Sequence, residues 1–366
     1  DELHVLRYRM QLHAPFVDIF VVCETATTFR GEPKPLHATL NLTAEEKRKY
    51  NVRIFVVPPA EEFANIGAKV LRTKGAYSGG GHNRVPNWRR ENYQRVSINE
   101  YLQASFPKHL LFFSDIDEFL DPEAMRTTLL PSPHLQSGGS GAAGCLTPKM
   151  RFYYYGEACP VNEPWAAAVL MRTDSYVFKK VVSHGFTLRW WGERSHHPRK
   201  AGQPPTCPEP DGLHGWHFSY AMSTDQIISK IESSVELGDP NFGDGGTINQ
   251  MPHEARARLV EARVRACADI YARRSSNISL TQSAYDGRLP SILGWPRHPL
   301  APTAMTVDWS RMPLPSPPPP MPEGSLLPRS GGRLILPCAV EQLGIRLNRK
   351  DVVALREMRL QSTVIA

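Results

Sequence analysis

The run Leu110-Leu111-Phe112-Phe113-Ser114-Asp115-Ile116-Asp117-Glu118-Phe119 brings two aspartates, two positions apart, to the end of a four-residue apolar stretch. A short apolar run of this kind reads as a buried strand. Ligands of open α/β sheets bind at the carboxyl ends of such strands. An Asp pair delivered there is suited to a hard divalent cation that bridges the oxygens of a diphosphate. The plainer account of the same string is a strand-end turn in which an Asp caps a helix opened by Pro122. The apolar run immediately before the pair favours a site.

Two chemistries use the pair. In phosphatases of the haloacid dehalogenase type the first Asp is a nucleophile and the second a general acid, usually followed by Gly-Thr or a similar small pair. Here Glu118-Phe119 follows, and the chain has no Asp-Asp for the later acidic motif of that class. In nucleotide-sugar transferases of the A-type fold the pair binds Mn²⁺ or Mg²⁺, which neutralises the departing nucleoside diphosphate.

Other residues invite a role. Glu24, at the carboxyl end of the first predicted strand, is placed to accept from uracil or ribose, or to form a loop salt bridge. Arg90 and Arg95 lie on a helix that precedes the Asp strand, and their guanidinium geometry suits a diphosphate. Glu91 and Arg95 are four apart, so an exposed i,i+4 ion pair is the simpler account. Trp216 is a candidate to stack on a sugar, and Tyr153, Tyr154 and Trp165 a candidate acceptor platform; all four suit a core equally well. A general base for transfer with inversion is open among Glu118, Glu163, Asp174, Glu193 and Asp211. The aromatic and basic run Trp190 to Lys200 is too short, and contains no recognised module, to indicate nucleic-acid binding.

The elements that must position these residues follow from apolar patterning. Asp1 and Glu2 precede Leu3, Leu6 and Met10 at helical spacing, acidic residues suiting a helix N-terminus. Val17 to Cys23 is β-branched and apolar on both faces, as a buried parallel strand is, and Arg53 to Val57 and Leu110 to Phe113 repeat the type. A helix is predicted from Trp88 to Ala104, after a Gly-rich loop over Lys74 to Asn87. Residues 145 to 220 are rich in aromatics and read as strands and loops. Helical spacing returns over 223 to 237 and 252 to 274, and a last helix is predicted over Val340 to Gln361. The pattern is α/β.

Composition sets the limits. Of 366 residues 41% are hydrophobic, which allows a sizeable core, and no apolar run approaches the ~20 residues that span a bilayer. Prolines number 33, and 13 of them fall in residues 290 to 337. Arg311 to Arg329 is therefore expected to be an extended linker. The net charge of +7 permits attraction to phosphates without specifying it. Six widely spaced cysteines with no CxxC pair argue against a zinc ribbon. Asn41-Leu42-Thr43 and Asn277-Ile278-Ser279 are acceptor sequons that fit a secretory protein. Because a helix already begins at Asp1, a segment upstream is expected, and any membrane attachment would run through it.

Four stretches in order resemble glycosyltransferase family 17, the family of β-1,4-mannosyl-glycoprotein 4-β-N-acetylglucosaminyltransferase. They are Asp1-Glu2-Leu3 with Val21-Val22-Cys23-Glu24 and Thr28 to Leu36; Trp88-Arg89-Arg90-Glu91-Asn92-Tyr93-Gln94-Arg95; Ser114-Asp115-Ile116-Asp117-Glu118; and Gly215-Trp216-His217-Phe218-Ser219-Tyr220. The resemblance covers residues 1 to about 275. It departs at Lys230 to Glu236, where a His is expected near position 236. It implies an A-type glycosyltransferase fold, a Rossmann-like mixed sheet flanked by helices. Residues 1–130 would form a donor-binding half and 131–300 an acceptor-binding half, followed by a Pro-rich linker over 301–337 and a helical tail over 338–366. It implies GlcNAc transfer from UDP-GlcNAc to a mannose hydroxyl of an N-glycan, with Mn²⁺ or Mg²⁺ held by Asp115, Asp117 and His217. Asp117 and Glu118 would be catalytic, Glu24, Arg90, Arg95 and Asp115 would bind the UDP-sugar donor, and Tyr154, Trp165 and Trp216 would bind a glycan or glycoprotein acceptor. The expected location is the secretory pathway, in the Golgi lumen, and no nucleic-acid partner is expected.

Overall fold

A computed structural model of the chain describes residues 2–58, 86–135, 144–156, 159–184, 187–189, 207–234, 248, 251–271 and 334–339. It is a mixed α/β structure with two sheets. The first has six strands. Strands β1 (Ile19–Glu24), β2 (Val52–Val56), β3 (Leu110–Phe113) and β10 (Leu334–Ala339) run parallel in the order β2-β1-β10-β3. Strand β8 (Val169–Arg172) pairs antiparallel with β3, and β5 (Cys145–Leu146) closes the edge. The second sheet has the order β4-β9-β6-β7, from β4 (Glu118–Leu120), β6 (Met150–Tyr154), β7 (Pro160–Trp165) and β9 (Gly215–Ser219).

Period-two alternation explains how β1 is apolar along its whole length. Phe20 and Val22 join one core cluster while Ile19, Val21 and Cys23 join another, on the opposite face. Strand β3 divides likewise, Phe112 to the first cluster and Leu111 and Phe113 to the second. Strand β2 departs from the expected buried type: it lies at the sheet edge, where Arg53 and Val56 are exposed.

Helix α1 (Leu3–His13) places Leu6 and Met10 in the first cluster. Helices α2 (His37–Asn41) and α3 (Ala44–Lys49) follow β1, and α3 opens on a capping box between Thr43 and Glu46. Helix α4 (Pro86–Ser105) buries Tyr93, Ile98 and Leu102 in the second cluster. Helix α5 (Tyr176–His184) places Val177, Phe178 and Val181 there too. Helix α6 (Thr224–Ser233) starts on a second capping box, Ser223 with Gln226, and buries Ile227, Ile228 and Ile231 against Val260 and Val264 of α7 (His253–Arg265).

Two disulfides brace the second half. Cys145–Cys207 ties the edge strand β5 to the segment before β9, and Cys159–Cys267 ties the β6–β7 turn to the end of α7. Backbone crowding is tightest where β4 meets β9: a Cβ at Gly215 would overlap the Phe119 carbonyl oxygen and stand 2.9 Å from the Leu120 Cα. Only glycine fits there.

The strands cut across the expected boundaries at two places. Residues 334–337, assigned from sequence to a Pro-rich linker, belong with 338–339 to strand β10, which lies between β1 and β3. Pro337 hid it, because a proline supplies no N–H to a ladder and argues against a central strand; it stands opposite Val21. The two expected halves share both sheets, since β5 and β8, after residue 130, complete the first sheet and β4, before it, belongs to the second. The predicted helix over Val340 to Gln361, most of the Pro-rich stretch, Glu193 and the run Trp190 to Lys200 lie outside the described residues.

Candidate functional site

Strand β3 ends at Phe113, and the turn Ser114 to Asp117 carries the chain from the first sheet into β4 of the second. Reciprocal bonds close this turn: the Glu118 amide donates to the Asp115 carbonyl at 3.2 Å, and the Asp115 amide donates to Glu118 Oε2 at 2.9 Å. From α1, the fully buried Arg9 donates to the Asp115 carbonyl and to Ser114 Oγ. A turn pinned from both sides holds its two aspartates in fixed directions.

The carboxylates meet protein cations. Arg95 of α4 spans Asp115, Nη1 to Oδ1 at 2.8 Å and Nη2 to Oδ2 at 3.4 Å, while Arg189 reaches Oδ2 at 2.5 Å. Arg95 also donates to Glu91 at 2.9 Å, the pair predicted by spacing. Burial raises the Asp115 carboxyl, but Arg189 and then Arg95 outweigh it and hold the group at about 2. Asp117 lies 3.3 Å from Lys230 Nζ and 3.5 Å from His217 Nε2. Here too burial pushes the carboxyl up, but Lys230 first and His217 next outweigh it, leaving it well below the ordinary Asp range. Lys230 is itself held by Glu2 at 2.7 Å.

Glu118 is fully buried. Its Oε1 accepts from Trp165 Nε1 at 2.6 Å and from Arg189 at 2.7 Å, and its Oε2 accepts the Asp115 amide. Arg189 also lies over the Trp165 ring, 5.1 Å from its centre. His217 stands opposite Glu118 in the β4–β9 register and opposite Phe152 in the β6–β9 register. Its ring is stacked on Phe152 with centres 4.6 Å apart and tilted against Trp165 at 4.4 Å. Ser219, two residues on and so on the same face, meets His217 Nε2 at 3.2 Å.

The structure thus gathers Asp115, Asp117, Glu118, Arg95, His217 and Trp165, and separates the other expected site residues from them. Glu24 accepts from the Ala38 amide at 2.6 Å and from the amide and hydroxyl of Thr39 at 2.8 and 2.6 Å, so its carboxylate is engaged at the N-terminus of α2. Arg90 donates to the Phe29 carbonyl at 3.0 Å, in the loop after β1. Tyr154 and Trp216 are buried in the core: Tyr154 stacks on Tyr220 and Trp216 packs in the first cluster. Tyr153 is buried and stacks on Phe218. Among the bases, Glu118 is saturated, Asp174 is paired with Arg172 at 2.7 Å, and Glu163 and Asp211 are exposed.

Arg9, Arg189, Lys230 and Glu2 complete the cluster without having been foreseen. Arg9 and Lys230 sit beside the apolar stripes of their helices, and a cation beside a buried stripe is the signal that would have singled them out. The metal set expected at Asp115, Asp117 and His217 is not assembled: among the described residues no group of three His, Cys, Asp or Glu side chains is close enough to hold an ion.

The chain matches no known protein family, no curated protein and no solved structure.

Proposed function

We propose that this chain is an inverting glycosyltransferase of the A-type fold, similar to family 17, that transfers GlcNAc from UDP-GlcNAc to a mannose hydroxyl of an N-glycan. The observation that supports this most is the Asp115–Asp117 turn at the carboxyl end of a parallel strand, ringed by Arg95, Arg189 and Lys230. That end is where open α/β sheets bind nucleotides, and fixed cations there stabilise charge developing on a leaving diphosphate.

The resemblance implies Mn²⁺ or Mg²⁺. The side chains as they stand do not fit one, because guanidinium groups span Asp115 and an ammonium and an imidazole face Asp117. No step is therefore assigned to a metal. Arg95, Arg189 and Lys230 share their charge between the carboxylates and the entering diphosphate. Glu118 is a positioning residue that fixes Arg189 and the turn. The depressed Asp115 and Asp117 are poor bases near neutrality; the exposed Glu163 and Asp211 are candidates for that role, as is Glu193, which lies outside the described residues. Trp165, partly buried beside Glu118, remains the candidate sugar contact.

The two disulfides are consistent with an oxidising compartment, in keeping with the proposed Golgi location. Among the described residues no helix is long and apolar enough to cross a membrane.

The test is release of UDP from UDP-GlcNAc, measured with and without Mn²⁺. Turnover that is lost in Asp117→Ala is expected. Hydrolysis of p-nitrophenyl phosphate with no turnover of any nucleotide sugar would sink the proposal in favour of a phosphatase.

A further inference from the structure

Gln94 presents an unmet need. The residue is 2% exposed, and among the described residues neither Oε1 nor Nε2 has a hydrogen-bond partner. An unpaired buried polar group costs on the order of 1–3 kcal/mol, so a side chain with both amide atoms orphaned calls for a ligand or another explanation. Its place in the fold supplies the ligand. Successive residues of an α-helix turn by about 100°, which puts Gln94 on the face of α4 between Arg90 and Arg95. Arg90 reaches the Phe29 carbonyl in the loop that follows β1. Arg95 reaches Asp115 in the turn that follows β3. The face between them looks onto the carboxyl ends of two parallel strands, the crevice where nucleotides bind in open α/β sheets.

We infer that Gln94 is a nucleobase-binding residue that pairs with the imide edge of uracil. This rests on the proposed use of a UDP-sugar. A primary amide offers an acceptor and a donor side by side, and uracil offers an N–H flanked by carbonyl oxygens. Oε1 accepts from the ring N–H while Nε2 donates to a ring carbonyl, so both orphaned atoms are satisfied at once. Because the amide is almost wholly covered, the base reaches it only when the flanking side chains part. Arg90 and Arg95, on either side, leave the diphosphate end of the ligand near Asp115.

The inference predicts opposite effects on stability and on binding. Gln94→Leu removes the orphaned amide with little change of volume, so the free protein should melt at or above the wild-type temperature. Its affinity for UDP should fall about 10- to 100-fold, the loss of two hydrogen bonds in a desolvated site, while affinity for inorganic pyrophosphate, which has no base, stays unchanged. Calorimetric titration of UDP and pyrophosphate into wild type and variant, with melting curves, reads all three. If Gln94→Leu does not fold, Gln94→Met, unbranched and of similar length, takes its place. Wild-type affinity for UDP in the variant, an equal loss for UDP and pyrophosphate, or a lowered melting temperature would each overturn the assignment of Gln94. Failure of the wild type itself to bind UDP would overturn the glycosyltransferase reading, and this assignment with it.

Discussion

Replacing Glu118 by Gln separates a structural carboxylate from a chemical one. The amide keeps the shape, and its oxygen still accepts from Trp165 and Arg189 as Oε1 does at 2.6 and 2.7 Å. Its nitrogen, however, now faces the Asp115 amide that Oε2 accepts at 2.9 Å, donor against donor. Losing a hydrogen bond to a charged group costs roughly 1.5–3 kcal/mol. Arg189 loses one of its two anionic partners but keeps Asp115 at 2.5 Å, so the total falls at the lower end of the ~3–5 kcal/mol seen when a buried pair loses a partner outright. About 3 kcal/mol should lower Tm by on the order of 6–10 °C, with a matching fall in the urea midpoint. Loosening of the turn should then depress kcat/KM for UDP-GlcNAc modestly at a temperature where the variant stays folded. A variant with wild-type Tm and a kcat lower by roughly 10²–10⁴, the range for loss of a general base, would refute the positioning role and restore Glu118 as a catalytic residue.

Acid stability tests the ion pairs. Asp115 has a folded value of about 2, below the ~3.9 of an unfolded Asp, so its contribution is complete above about pH 4 and is lost as pH falls towards 2. Unfolding measured across that window should steepen in wild type and be flatter in Asp115→Asn; identical curves would show that the guanidinium pairs do not set it. Serine replacements of each disulfide should both destabilise. Removal of Cys159–Cys267, which closes 108 residues, should cost about 0.5 kcal/mol more than removal of Cys145–Cys207, which closes 62, if chain entropy governs the difference; a reversed order in denaturant titrations would exclude that account.

The parts of the fold that could be read from the sequence are those decided locally. The apolar runs at Ile19–Glu24 and Leu110–Phe113 are strands because burial on both faces leaves no polar alternation to interpret. Helix α6 lies within the helical spacing over 223 to 237, a spacing set by the isoleucines that it buries. Strand β10 was not legible, because its partners are β1 and β3, hundreds of residues earlier, and its central proline opposes the local signal. A sequence window cannot weigh a pairing of that range. Glu2 shows the same limit at one residue: acidic residues near a helix start suit the dipole, but Glu2 makes no cap hydrogen bond and instead holds Lys230.

The site divides on the same line. Asp115 and Asp117 were visible because their spacing and the apolar strand before them are contiguous. What those carboxylates do depends on partners that the sequence scatters: Arg9, Arg95, Arg189 and Lys230 come from four elements. An Asp pair met by water is a metal site in waiting, whereas the same pair met by buried guanidinium and ammonium groups is already neutralised. Desolvating a carboxylate is costly enough that partners arranged around it decide its chemistry. The motif therefore locates the carboxylates, and the distant cations determine how much of their charge is met by the protein itself. Glu24 makes the complementary point. A carboxylate at the end of a strand is well placed for a ligand only while no helix N-terminus claims it, and α2 claims this one through Ala38 and Thr39.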